Sequence, residues 1–181
     1  MKPYKIEKYN TAKKKPTRKL FKVALLILGI IISFSISRIF IVPIKLHNDS
    51  MEPNFSQGTK LIVLKHFPAS KGNVIVFRSP IQKDKVLFGR IIAAPHETVE
   101  VKDKNILING KKMVTQWEIK NEDSRIFPTT FSFRDNMSAI KLEDEEWFIL
   151  CDNIDFGFDS RELGPINKNN VIGRIIYPRK K

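Results

Sequence analysis

Cysteine, histidine and acidic residues are all scarce in this chain, and each scarcity closes off a class of function. Cys151 is the single cysteine, so no intramolecular disulfide can form. The three histidines, His47, His66 and His96, lie far apart and lack any close ligand spacing with each other or with Cys151, so no metal centre and no cofactor is expected. Nineteen Asp and Glu against 32 Lys and Arg leave a formal net charge of +13. That excess is concentrated: residues 1–22 hold eight Lys and one Arg against one Glu, or +8, which leaves +5 for the other 159 residues. A basic tail of this kind suits nucleic acid or anionic lipid, and the adjoining segment decides between them.

That segment is VALLILGIIISFSISRIFIV, Val23 to Val42, with a single charge at Arg38. Twenty residues of helix at about 1.5 Å each span roughly 30 Å, the thickness of a bilayer core. Arg38 sits near the end, where a long side chain snorkels to the interface. The Lys-rich flank places the N-terminus in the cytoplasm and residues 43–181 outside, by the positive-inside rule. A cleaved signal peptide, with Ser33-Phe34-Ser35 at its cleavage site, is the other reading of the run, although the apolar stretch continues through IFIV beyond a usual h-region. The tail then faces anionic lipid, and a nucleic-acid partner ranks last, because aromatic interleaving is missing. The expected organisation is a basic tail at 1–22, a single membrane span at 23–42 in the cell membrane, and a domain at 43–181.

Helical periodicity is lacking beyond residue 43. The apolar residues come instead in short β-branched or aromatic runs, KLIVLKHF, GNVIVFRS, VLFGRIIA, TVEVKD, NILING, EEWFIL and NVIGRIIYP, divided by Gly, Asn, Asp and Pro. The domain is predicted to be all-β, with Asn109-Gly110 as a type I′ hairpin turn. Residues 112–140 are poorly patterned and charged, and read as an inserted, partly irregular subdomain.

Four stretches carry a resemblance when taken in order after the apolar run. Ser50-Met51-Glu52-Pro53 resembles the S-M-x-P box of bacterial type I signal peptidases, whose serine is the nucleophile. Lys71 to Phe77 resembles their G-D-V-V-V-F strand, with Asn73 in place of the acid. Gly89 to Glu97 resembles their K-R-V-I-G-L-P-G-D box. Cys151-Asp152-Asn153 through Gly164 resembles G-D-N…S-x-D-S-R-x-x-G. Four ordered boxes together are far more specific than any one alone. The resemblance implies a β fold with an apolar groove for an extended peptide, lined or braced by Asn48, Met51, Pro53, Arg90, Asp159, Ser160 and Arg161.

It also implies a Ser/Lys dyad, and here this chain departs from the pattern. The general-base lysine position is Gly89, and the position of the serine that orients that lysine is Gly157. A serine without a base is a poor nucleophile, and glycine can neither accept nor pass a proton. Lys85, about 13 Å along the strand at roughly 3.3 Å per residue, His47 and His96 are not placed by the sequence to substitute. Two readings stay open at this point. One is a non-proteolytic, signal-peptidase-like protein that binds an extended peptide by strand addition. Members of the family lacking catalytic residues occur with pilins and sortases in Gram-positive pilus assembly, so a pilin or sortase is a partner that the resemblance implies. The other reading is an active signal peptidase with Ser50 as nucleophile and a different base.

Overall fold

The computed structural model describes residues 18–66, 68–82 and 84–178. Most of the basic tail, residues 1–17, lies outside the described residues. By packing, the chain divides between Arg38 and Ile39 into two units.

The first unit contributes almost all of helix α1 (Arg18–Phe40), which is long and apolar enough to cross a membrane and has no buried residue. A helix that is apolar all round and covered by no protein needs an apolar solvent. The helix starts before Val23 and stops before Val42. Ile41 and Val42, assigned by hydropathy to the span, instead begin strand β1 (Ile41–Lys45). A short apolar run fits a helix end and a strand equally well by composition, and here pairing with β2 (Lys60–Leu64) decides. Pro43 is tolerated because β1 is an edge strand.

The second unit is built from two antiparallel sheets. The remaining strands are β3 (Val74–Arg78), β4 (Val86–Ala93), β5 (Thr98–Lys102), β6 (Asn105–Ile108), β7 (Lys111–Lys112), β8 (Met137–Lys141), β9 (Glu146–Leu150), β10 (Ile166–Asn167) and β11 (Val171–Tyr177). The larger sheet has the order β1-β2-β11-β3-β4-β9-β10, and the smaller β7-β6-β5-β8. Every strand run identified in the sequence forms a strand, whereas β1, β8 and the two-residue β7 and β10 lie outside those runs. A four-residue helix α2 (Ser160–Leu163) is also present, too short for periodicity to reveal.

Alternation explains how the large sheet buries both faces. Along β3, Val74 and Val76 enter one core with Leu46, Met51, Phe55, Leu61, Val63 and Phe88, while Ile75 and Phe77 enter another with Leu87, Ile91, Ile149 and Ile166. A third core, including Val99, Val101, Ile106, Met137 and Phe148, lies against the small sheet. Asn109 and Gly110 both have positive φ, 52° and 74°, as the expected type I′ hairpin requires.

Residues 113–136 form neither helix nor strand beyond an isolated bridge at Lys120. Charge organises this segment. Asp123 pairs with Arg125 at 2.8 Å and Arg134 at 2.9 Å, and Arg134 also holds Asp135 at 2.7 Å. Asp155 caps the backbone N–H groups of Glu122 and Asp123. The two guanidinium groups, Arg125 first, hold the Asp123 carboxyl well below the usual carboxylate range.

Candidate functional site

Ser50 lies in the tight loop between β1 and β2. The N–H of Glu52 donates to Asp49 O and that of Phe55 to Met51 O, and the Met51 side chain anchors the loop in the core beneath it. The Glu52-Pro53 peptide is cis. From across the fold, Asn153 donates its backbone N–H to Ser50 O at 2.9 Å and its side-chain amide to Asp49 O at 3.2 Å.

Residues 151–153 are themselves fixed by buried polar contacts. Arg90, on β4, donates Nε to Asp152 Oδ1 at 2.8 Å, donates a terminal nitrogen to Gly72 O at 2.8 Å, and stacks on Trp117 at 4.5 Å. Asn54 donates to Asp152 Oδ2 at 2.9 Å and to Glu118 O at 2.7 Å. Burial pushes the Asp152 carboxyl upward, and the Arg90 guanidinium works against that rise. Asp159 caps α2, accepts the Cys151 N–H at 2.9 Å, and holds Arg161 through two side-chain bonds of 2.9 Å. Ser160 Oγ accepts the Ile149 N–H at 2.9 Å. Asp159, Ser160 and Arg161 therefore brace β9 and residue 151 from behind.

The serine hydroxyl is 4% exposed and donates to Asn48 Oδ1 at 2.8 Å. An amide oxygen accepts a hydrogen bond but is far too weak a base to take the proton. Asn48 thus faces the serine through its oxygen.

Cys151, whose thiol titration the serine hydroxyl influences least of its neighbours, follows β9 and precedes Asp152. Cys151 Sγ donates to Phe88 O at 3.6 Å, on the residue that precedes Gly89. Burial first, then the Asp159 charge, pushes the Cys151 thiol well up, so it stays protonated and supplies no base.

Alternation along β4 sets Gly89 on the face of Leu87 and Ile91, and Ile149 fills the space beside it. A Cβ at position 89 would lie 2.5 Å from Ile149 Cγ2. A Cβ at 157 would lie 2.5 Å from Cys151 Cβ and 2.8 Å from its sulfur. Both distances are shorter than any van der Waals contact. Ile149 and Cys151 therefore pack directly against the backbone of Gly89 and Gly157 and leave no room for a side chain at either position. Where the resembled box has Gly, this chain has Cys151, and where it has Ser, this chain has Gly157: the larger group has moved across the contact.

Two of the candidate substitute bases are engaged elsewhere. Lys85 lies over the Phe158 ring at 5.0 Å, and His96 faces Asp144 at 3.2 Å. Lys120 comes beside the serine loop by pairing with Asn153, but it binds Glu52 at 3.0 Å; that hydrogen bond, with the Glu122 charge, raises its pKa and keeps it a cation. Among the described residues no group of three or more His, Cys, Asp or Glu could hold a metal ion. The sequence placed Ser50, Asn48, Met51, Arg90, Asp159 and Arg161 in one neighbourhood, and the fold brings them there. It gave no sign of the parts played by Cys151 and Ile149, except that a cysteine stands where the resembled box begins with glycine.

Known proteins resemble this chain along most of its length. The chain is 28% identical over 156 residues to Signal peptidase I V of Bacillus subtilis (strain 168), covering 82% of this chain and 92% of that one. It is 26% identical over 158 residues to Signal peptidase IB of Staphylococcus aureus (strain Mu50 / ATCC 700699), covering 81% and 82%. A crystal structure of a signal peptidase I from Enterococcus faecalis V583 aligns with a TM-score of 0.46 at 22% identity, covering 61% of this chain and 98% of that chain. The model of the family described as "Signal peptidase, peptidase S26" matches residues 17–178, nearly the whole sequence, and the chain belongs to that family.

Proposed function

We propose that this protein is a membrane-anchored, non-proteolytic member of the signal peptidase family, which holds an extended polypeptide and assists assembly of surface proteins such as pili. The carrying observation is the packing at Gly89 and Gly157: a Cβ at 89 would lie 2.5 Å from Ile149 Cγ2 and a Cβ at 157 would lie 2.5 Å from Cys151 Cβ, which leaves no room at either position for a lysine or its orienting hydroxyl. Burial of such a lysine is what would keep it neutral and basic, so a filled site removes both the group and its environment. A single pass with the N-terminus in the cytoplasm and the β domain outside is supported by the Lys excess before α1.

One observation favours a second reading, an active peptidase: the loop around Ser50 is fully braced, and the relatives are named signal peptidases. Activity separates the two. Full-length protein in detergent, incubated with a signal-peptide substrate, leaves it uncut, and Ser50→Ala supports the cellular role as well as wild type. Loss of that role in a folded, membrane-inserted Ser50→Ala protein would establish catalysis, since removing a nucleophile costs orders of magnitude in rate.

Restoring a dyad requires more than Gly89→Lys with Gly157→Ser. Cys151→Gly and Ile149→Ala must accompany them to reopen the space.

A further inference from the structure

The arginines that brace this domain share a habit. Arg90 holds Asp152, Arg134 holds Asp123 and Asp135, and Arg161 holds Asp159. Arg174 breaks it. It sits on β11 between Leu64 of β2 and Ile75 of β3, in the middle of the large sheet. Among the described residues its side chain has no hydrogen bond and no carboxylate partner, and its Nε is buried with its N–H unmet. A buried donor without an acceptor is costly, and its persistence marks a place where a partner from outside the chain is wanted.

Arg174 borders a cavity of about 310 Å³ lined by Phe55, Asn73, Val74, Arg90 and Ile175, among others. At about 30 Å³ per water in the liquid, this space holds roughly ten water-sized volumes, far more than a bare ion and enough for one amino-acid side chain with its backbone. Its walls combine apolar carbon from Phe55, Val74 and Ile175 with the guanidinium fork. The charges also select. Arg90 is neutralised by Asp152, so among the described residues the cavity carries one unmatched positive charge, that of Arg174, which suits a monoanion. A dianionic phosphate would meet one free cation while lying near the Asp152 carboxylate. A carboxylate matches the guanidinium fork with two parallel N–H···O bonds.

The cavity is also tied to the serine loop, because Phe55 closes the turn that begins at Ser50. We propose that Arg174 captures a carboxylate on the polypeptide held by this domain, either an acidic side chain or a free C-terminus. This rests on the polypeptide-binding reading above. The capture adds a charge requirement to the binding of that polypeptide.

The test uses the full chain in detergent micelles and capped peptides of alanine, serine and valine carrying one Glu, one Gln, or one Gln with a free C-terminal carboxylate. At low salt the Glu peptide, the free-carboxylate peptide or both bind at least about tenfold more tightly than the capped Gln peptide, and which of them gains identifies the source. Arg174→Gln erases the gain while leaving the Gln-peptide affinity and the melting temperature unchanged, and Arg174→Lys keeps part of it, as a point charge without the fork should. Equal binding of all three peptides would overturn carboxylate capture and leave the polypeptide reading standing. Failure of all three to bind would overturn both. Inorganic phosphate that binds more tightly than the Glu peptide, and is lost in Arg174→Gln, would overturn the assignment to a carboxylate.

Discussion

Around residues 151–153 the structure is a lattice of buried polar contacts, in which Asn54 and Arg90 hold Asp152, Asn153 holds Asp49, and Asp159 holds Arg161 and the Cys151 N–H. At Gly89 and Gly157 there is instead carbon and sulfur in close contact. The two sides obey different constraints. The lattice holds buried charges, and a buried charge that loses its partner destabilises the whole fold. A general base stabilises nothing in the folded state and is costly to bury, so its loss is neutral for folding once a neighbour fills the gap. A fold can therefore keep the shell of a catalytic site while the catalytic group itself is gone.

The sharpest way to break this comparison is to attack the lattice. Arg161→Met strands the Asp159 carboxylate in a fully buried place, and about 3–5 kcal/mol of stability is expected to be lost. Chemical denaturation of the detergent-solubilised protein measures it. A loss below about 1 kcal/mol would mean that the lattice is as dispensable as the base.

A smaller effect tests the packed side. Gly157→Ser alone forces a Cβ against Cys151 and is expected to cost about 1–3 kcal/mol by overpacking. Cys151→Gly in the same chain should recover most of it, giving a coupling well outside the additivity of independent sites. Additive effects would show that Cys151 does not fill the space.

Removing the hydroxyl at Ser50 deletes one hydrogen bond to Asn48, and Ser50→Ala should change the unfolding free energy by no more than about 1 kcal/mol.

The smallest effect is on pH, and it is read in the insert. Asp123 has its pKa lowered by Arg125 and Arg134, so its contribution is present above the ordinary carboxylate range and is lost as pH falls below about 4. Lys120 has its pKa raised by Glu52 and Glu122, so its contribution is present below the ordinary lysine value and is lost only as pH rises through the higher folded one. Amide exchange in residues 113–136 should therefore be flat between about pH 5 and 9, after correction for intrinsic rates, and rise below about pH 4. A midrange transition would point to a histidine in control.

Much of this molecule is legible in its sequence, for local reasons. A largely apolar run of twenty residues announces a helix in an apolar solvent, the unbroken apolar run VIVF announces a strand buried on both faces, and Asn109-Gly110 announces a turn with two positive φ values, each within a local window of sequence. That positions 89 and 157 carry no proton-accepting side chain is also legible, because glycine brings none wherever the chain folds. The sequence is silent on β1, where an apolar run continues from the helix, and on β8, which lies at the end of a charged and poorly patterned insert.

What took the place of the base was decided only by tertiary structure. Cys151 and Phe88 stand 63 residues apart in the chain, and nothing in either local pattern says that a thiol from the end of β9 will meet the backbone beside Gly89 and fill the volume opposite Gly157. The same holds for Arg174, whose lack of a partner is a property of its surroundings and not of its sequence neighbours. Helix, strand and turn follow from short-range sterics and hydropathy, whereas the occupancy of a buried space depends on close packing among residues that only the finished fold brings together.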